Sequence, residues 1–214
     1  MTRCLCAIPV YNNAATLVDV AQRCRRYLPD VLVVDDGSTD LTPSHLDALH
    51  DAGVDLRRHE FNQGKGAAIL TALAVAVERQ DDYLITIDAD GQHFPEDLPA
   101  FLAILEQEPE VLLVGCRNFG ENVPEKSKFG RAFANFWLKL ETGVDCDDCQ
   151  SGFRAYPVKA ISQLRFLSRR YNFESEVLAR AAWGGVKIMD TPIKVSYPKD
   201  RVSHFDPWRD NLRI

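Results

Sequence analysis

Asp88 and Asp90 stand one residue apart at the end of an apolar run, Tyr83-Leu84-Ile85-Thr86-Ile87, and are followed by Gly91-Gln92-His93. Leu84 to Ile87 reads as a buried strand of a parallel sheet. Ligands of open α/β sheets bind outside the carboxyl ends of such strands. In extended backbone the i, i+2 spacing turns both carboxylates toward one side. Two carboxylates so close repel each other unless a positive charge lies between them. A hard divalent cation answers that repulsion, and Mg²⁺ in particular is commonly held by one or two carboxylates plus substrate phosphates. These residues therefore point to a metal–diphosphate site. The calcium-loop pattern is not met, because Gln92 and His93 stand where Asp/Asn-Gly is required.

Two other apolar runs end in polar loops, Pro9-Val10-Tyr11-Asn12-Asn13 and Asp35-Asp36-Gly37-Ser38. In a parallel sheet these ends share one edge with Asp88, so the three loops are expected to form one crevice. Its inventory is a tyrosine able to stack or hydrogen-bond, carboxylates suited to base or ribose donors, and a metal-holding pair. Gly64-Lys65-Gly66 precedes an Ala/Leu/Val-rich helix and offers backbone N–H groups, a cation and a positive helix end, all suited to phosphate. It is not a Walker loop, since the Gly-x-x-x-x-Gly-Lys-Ser/Thr spacing is absent. Taken singly, each loop is also readable as a turn with a helix cap. It is their coincidence that favours a site.

The elements that must carry these loops alternate. Strands are expected at residues 3–10, Val31 to Val34, Val54 to Arg58, 83–87 and 111–115. Helices are expected at 14–28, after Asp40 to about 51, at 67–79 and from Pro95. This order calls for a largely parallel sheet. After residue 116 the pattern changes. Glu121 to Lys128 reads as a polar, mobile loop, followed by a helix carrying Phe129, Phe133, Phe136, Trp137 and Leu140. Phe173 to Trp183 reads as a further helix, and 186–197 as two short strand-like runs. The expected organisation is one catalytic domain over 1–197, with a Pro-, Arg- and aromatic-rich tail at 198–214.

The 214 residues carry a net charge of −6, which argues against a nucleic-acid binder driven by bulk electrostatics. Hydrophobic residues make up 46% and charged residues 26%, ordinary for a globular protein. No run reaches the roughly 18 apolar residues of a membrane span. The first residues enter a strand without the apolar segment of a signal peptide, so a cytoplasmic location is expected. The six cysteines are then expected to be free thiols. Cys146-Asp147-Asp148-Cys149 has redox spacing but the wrong context, and no second Cys/His pair stands nearby to make a zinc site.

Ile8-Pro9-Val10-Tyr11-Asn12, Val33 to Asp40, Asn62-Gln63-Gly64-Lys65-Gly66 and Asp88 to His93 resemble, in order and spacing, the family-2 inverting glycosyltransferases of GT-A fold. Gln150-Ser151-Gly152-Phe153-Arg154-Ala155-Tyr156 and Phe173-Glu174-Ser175-Glu176 are similar to the branch containing dolichyl-phosphate mannose synthase and bacterial polyprenyl-phosphate sugar synthases. The resemblance spans about residues 4–197. It implies a three-layer α/β/α domain with a mainly parallel central sheet. The implied ligands are a GDP- or UDP-sugar donor and Mg²⁺ or Mn²⁺.

By this resemblance Pro9, Tyr11, Asn13, Asp35, Asp36, Lys65, Asp88 and Ala89 line the nucleotide. Asp88 and Asp90 hold the metal, with Gln92 or His204 completing its shell. Arg117 and Arg131 face the phosphates of donor and acceptor. The implied chemistry neutralises the leaving diphosphate while the acceptor attacks the anomeric carbon from the opposite face. A lipid-phosphate acceptor is already ionised. A hydroxyl acceptor needs a base, for which Asp148 is the candidate and Asp147 the second choice. Two departures stand out: Asn13 replaces the usual Glu, and Arg201 to Arg209 does not match the usual ending. Phe205, Trp208, Arg201 and Arg209 suit either a lipid acceptor or a membrane surface, or packing on the protein body. Rival readings are a phosphoaspartyl phosphatase with Asp88 as nucleophile, and a non-catalytic nucleotide-sugar binding protein.

Overall fold

The computed structural model describes residues 2–117, 125–170 and 172–196, without the side chains of residues 125–131. Among the described residues seven strands form one sheet: β1 (Cys4–Val10), β2 (Val31–Asp35), β3 (Asp55–Arg58), β4 (Tyr83–Thr86), β5 (Leu112–Arg117), β6 (Arg154–Pro157) and β7 (Ile188–Ile193), in the order β3-β2-β1-β4-β6-β5-β7. The helices are α1 (Ala14–Arg25), α2 (Pro43–Asp51), α3 (Lys65–Glu78), α4 (Leu98–Gln107), α5 (Glu125–Thr142), α6 (Val158–Ile161) and α7 (Phe173–Trp183). Pro95 to Asp97 form a 3-10 turn ahead of α4.

The central strands are buried on both faces, as near-continuous apolar runs require. Cys4, Cys6, Ile8 and Val10 of β1 pack with α1, α2 and α4 through Leu17, Val20, Leu49, Phe101 and Leu105. Leu5 and Ala7 of the same strand turn to α3, α6 and α7, meeting Ala72, Ile161, Val177 and Leu178. The result is the expected three layers. Among the described residues no helix is long and apolar enough to cross a membrane.

The structure differs from the sequence expectation in three places. Of the two strand-like runs expected in 186–197, the first is the strand β7, parallel to β5, and the second is only a lone bridge from Val195 to His93. More important, β6 was not expected at all. It lies antiparallel between β4 and β5, pairing Thr86 with Arg154 and Val114 with Arg154. Arg154 to Pro157 is too short, and too polar at its start, to announce a central strand. Because β6 runs backward, its first residue stands at the carboxyl edge of β4 and β5. Gly152 and Phe153 are thereby delivered to the Asp88 loop. Helix α5 also begins at Glu125, inside the stretch read as a polar loop. Residues 198–214, with His204, lie outside the described residues, as does the side chain of Arg131.

Candidate active site

The three strand-end loops are tied to one another. Asp36 N–H donates to Val10 O (2.8 Å), joining the ends of β1 and β2. Asn12 holds a positive φ of 52°, which Asn tolerates better than most residues. From there its N–H donates to Ser38 Oγ (3.0 Å), and its Oδ1 accepts from Thr39 N–H (2.9 Å). Ala14 N–H, at the start of α1, donates to Asp40 Oδ2 (2.8 Å). Thr16 Oγ1 donates to Ala89 O (2.6 Å), linking α1 to the Asp88–Asp90 loop. The strand-end loops are thus knit together, with Pro9, Tyr11 and Asn13 half-buried among them. Asn13 Nδ2 donates to Tyr11 O (3.2 Å).

Asp35 is wholly buried. Its Oδ1 accepts from Ser38 N–H (2.8 Å), and Arg58 Nε stands 3.0 Å from its Oδ2. Asp36 serves the protein with both oxygens: Oδ1 accepts from Gln63 N–H (2.9 Å) and lies 2.7 Å from His59 Nδ1, while Oδ2 accepts from Gly64 N–H (2.7 Å). Asp36 therefore positions the loop that launches α3. The start of α3 is engaged as well, because Ala67 N–H donates to Arg169 O (3.0 Å). Gly64, at φ +104°, could carry no side chain here, since a Cβ would lie 2.4 Å from that same oxygen.

What α3 contributes to this edge of the sheet is Lys65. Its Nζ lies 2.6 Å from Asp88 Oδ1 and 2.6 Å from Glu174 Oε1. Burial opposes its charge, yet the two carboxylates outweigh burial and hold the ammonium well above the ordinary lysine range. For Asp88, burial raises the carboxyl pKa, but Lys65 and then His93 overcome it and hold it far below the usual range. His93 Nε2 faces Asp88 Oδ2 at 3.6 Å, with its ring edge-on to Phe153 (5.9 Å, 70°), which stacks on Phe101. Asp90 differs. Burial and the charge of Asp88 push its carboxyl up, against bonds from Gln92. Gln92 N–H donates to its Oδ1 (3.0 Å), and Gln92 Nε2 to its Oδ2 (2.6 Å).

Among the described residues no group of three or more His, Cys, Asp or Glu side chains is arranged to hold a metal. The donor set still fits a hard cation whose shell is completed by substrate. The Asp88 and Asp90 carboxylates repel each other, and Gln92 stands beside them with its amide nitrogen donating to Asp90. The last described residues return to this point. Ser196 N–H donates to Gln92 O (2.9 Å), and Val195 pairs with His93.

Arg117, at the end of β5, grips Asp148 in a fork: Nε to Oδ2 at 2.6 Å and Nη2 to Oδ1 at 2.8 Å. Asp148 is fully buried, whereas Asp147 is exposed and bound through its N–H to Asp190 Oδ2 (2.7 Å). None of the six cysteines is in a disulfide. Burial pushes Cys149 up to about 11 and Cys146 higher still, the reverse of an activated redox pair.

Three residues of the site had no site role in the sequence reading. Glu174 was visible only as part of a motif. Gly152 packs its Cα against the Asp88 carboxylate, where a Cβ would lie 2.4 Å from Oδ2. Arg154, wholly buried, donates to the carbonyls of Ser151 (2.7 Å), Glu174 (2.6 Å) and Cys149 (2.6 Å), joining the 149–152 turn to the start of α7. The hints in the sequence were the Gln150 to Tyr156 stretch, which holds Gly152 and Arg154, and Phe173 to Glu176, which holds Glu174.

Comparisons with known proteins agree with this architecture. The model of "Glycosyl transferase family 2" matches residues 6–165. The undecaprenyl-phosphate mannosyltransferase of Micrococcus luteus is 32% identical, over 89% of this chain and 82% of that protein. A UDP-N-acetylglucosamine–dolichyl-phosphate N-acetylglucosaminyltransferase of Methanococcus voltae is 30% identical, over 89% and 84%. Among solved structures, glucosyl-3-phosphoglycerate synthase of Mycobacterium tuberculosis, in complex with Mg²⁺ and UDP, superposes with a TM-score of 0.74 at 20% identity, covering 99% of this chain and 74% of that one. That likeness gives the fold, a GT-A fold. With three-quarters of the chain under the family model and the strand-end loops assembled as described, the chain belongs to glycosyl transferase family 2 and is a glycosyltransferase.

Proposed function

We propose that the protein transfers a sugar from a nucleotide-diphosphate sugar to a polyprenyl-phosphate acceptor, with inversion at the anomeric carbon and dependence on Mg²⁺ or Mn²⁺. The observation that carries this reading is the convergence of Asp35, Lys65, Asp88 and Asp90 at one edge of the sheet, with the Arg117–Asp148 fork at the neighbouring strand end. Relatives named for dolichyl phosphate, undecaprenyl phosphate and polyprenol monophosphomannose support the acceptor class. Solved GT-A structures that hold Mg²⁺ or Mn²⁺ with UDP or UDP-glucose support the donor and cation.

In this reading Pro9, Tyr11, Asn13, Asp35 and Ala89 form the nucleoside half of the crevice. Asp36 holds the loop that presents Lys65. Asp90, Asp88 and Gln92 hold the cation, and His204 is the candidate from the tail. A bound divalent cation supplies charge neutralisation of the leaving diphosphate. Arg117, oriented by Asp148, and Arg131 receive the acceptor phosphate. That phosphate is ionised at neutral pH, so no side chain has to take a proton from it. Both oxygens of Asp148 are engaged by Arg117, which favours an orienting role over that of a base and the phosphate acceptor over a hydroxyl. A cytoplasmic protein working at the membrane face, with 1–197 as its catalytic domain, fits this acceptor.

The test is turnover with GDP-mannose, UDP-glucose and UDP-N-acetylglucosamine, Mn²⁺, and either undecaprenyl phosphate or undecaprenol. The expected result is nucleoside diphosphate release with one donor, only with the phosphate acceptor, abolished by EDTA, and a product of inverted configuration by NMR. Equal transfer to undecaprenol would overturn the acceptor. Turnover unchanged in EDTA would overturn the cation.

A further inference from the structure

Reading Asp88 as a ligand of the donor's cation raises a problem of charge. Its Oδ1 is held by Lys65 at 2.6 Å and its Oδ2 faces His93 at 3.6 Å. To turn an oxygen toward a cation, Asp88 must loosen the hold of Lys65. The lysine side chain is only 17% exposed, and an ammonium left without a partner in such surroundings is strongly disfavoured. A second carboxylate meets it there. Glu174 Oε1 lies 2.6 Å from the same nitrogen, with its side chain 10% exposed.

Glu174 is fixed in that place. It sits in the first turn of α7, where the helix dipole favours a carboxylate. Its backbone carbonyl accepts from the buried Arg154. Phe173, its neighbour, closes on Gly66 so tightly that a Cβ on Gly66 would lie 2.6 Å from the Phe173 Cβ. The beginnings of α3 and α7 are thereby clamped together with Lys65 between Asp88 and Glu174. Counted formally, Asp88, Asp90 and Glu174 against Lys65 leave two negative charges, the complement of a divalent cation. Without the charge of Glu174 one remains.

We infer that Glu174 is a positioning residue for cation uptake, the second counter-ion that keeps Lys65 buried and charged while Asp88 turns toward the donor's metal. The inference rests on the reading of Asp88 and Asp90 as the metal-holding pair. The arrangement makes Lys65 a shared charge between two carboxylates, and Asp88 the partner that can leave.

The test titrates Mn²⁺ alone, at low ionic strength, into wild type, E174Q, E174D, K65M and D90N, reading the free ion by EPR and recording each melting temperature. Because one unit charge is removed close to the cation, E174Q is expected to bind Mn²⁺ about tenfold more weakly, while E174D, which keeps the charge, stays within about threefold of wild type. K65M, which removes the competing ammonium, is expected to bind more tightly. A purely packing role predicts the reverse order, since Gln keeps the shape and Asp does not. Unchanged Mn²⁺ binding by E174Q, or weaker binding by E174D than by E174Q, overturns the inference. Should E174Q not fold, K65M decides alone, and weaker binding by it overturns the inference as well. D90N separates the two layers. If it binds Mn²⁺ like wild type, the metal reading itself falls and carries the inference with it.

Discussion

The carboxylate of Asp88 rests directly on the Cα of Gly152, so closely that any β-carbon at 152 would lie 2.4 Å from Oδ2 and 2.6 Å from Oδ1. The two residues come together because β6 enters the sheet beside β4. Thr86 Oγ1 fastens that approach, donating to Gly152 O at 2.8 Å. A glycine is required here for close approach to a functional group, with no demand from its backbone angles.

Gly152→Ala is therefore expected to displace Asp88 while leaving the sheet in place. Overpacking of this kind costs about 1–3 kcal/mol, and a misplaced site group costs about 100-fold in rate. Denaturation would give the first value and initial rates the second. A variant with full activity would show that Asp88 is not needed in its observed position.

Asp36 is read as the anchor of the 62–64 loop, and an isosteric change tests that. Its two oxygens accept from two different backbone N–H groups, those of Gln63 and Gly64. Either orientation of an asparagine amide would point an NH₂ at one of them. Asp36→Asn is expected to lose about 2–3 kcal/mol, as buried charge-assisted bonds do. Urea midpoints would measure it, and a cost near zero would remove Asp36 from the loop's support.

The Arg117–Asp148 fork makes a paired forecast. Asp148→Ala leaves a largely buried guanidinium without its carboxylate and should cost about 3–5 kcal/mol. Arg117→Lys keeps the charge and loses the fork. It should lower kcat/KM for the lipid phosphate at least about tenfold, with nucleotide affinity unchanged in calorimetry. If Arg117→Lys instead weakens only nucleotide binding, the arginine belongs to the donor side.

Acid should loosen the 165–170 segment before the sheet. Burial raises the Glu176 carboxyl, but Leu167 and Ser168 N–H groups, with Arg180, bring it down to about 2 from 4.5. Because the folded value is depressed, its stabilisation is complete above pH 4.5 and is lost as pH falls toward 2. Glu176→Gln should cost roughly 1–2 kcal/mol at pH 7, after discounting for solvent screening. It should also flatten stability across that acid window. Hydrogen exchange at Leu167 and Ser168 in both proteins would check it, and identical protection would contradict the assignment.

The strand-end loops were legible in the sequence because each ends an apolar run at a strand terminus. Alternating strands and helices leave those termini one common edge. Asp35, Asp88 and Asp90 were found on that ground. The Arg117–Asp148 fork was not legible in the same way. Asp148 looked like a base because a lone carboxylate near a turn carries no mark of its partner. Arg117 is that partner, brought to it by the pairing of β5 with β6.

The sequence by itself determined the fold class, the order of the outer elements and the carboxylates at the sheet's edge. Periodicity and strand-end chemistry are local properties, written in neighbouring residues. Only the tertiary structure decided that β6 runs backward through the centre, that Gly152 backs Asp88, and that Lys65 is shared between Asp88 and Glu174. These depend on segments far apart in the chain meeting in a buried space. There a charge is stable only where partners converge, as three carbonyls do on Arg154.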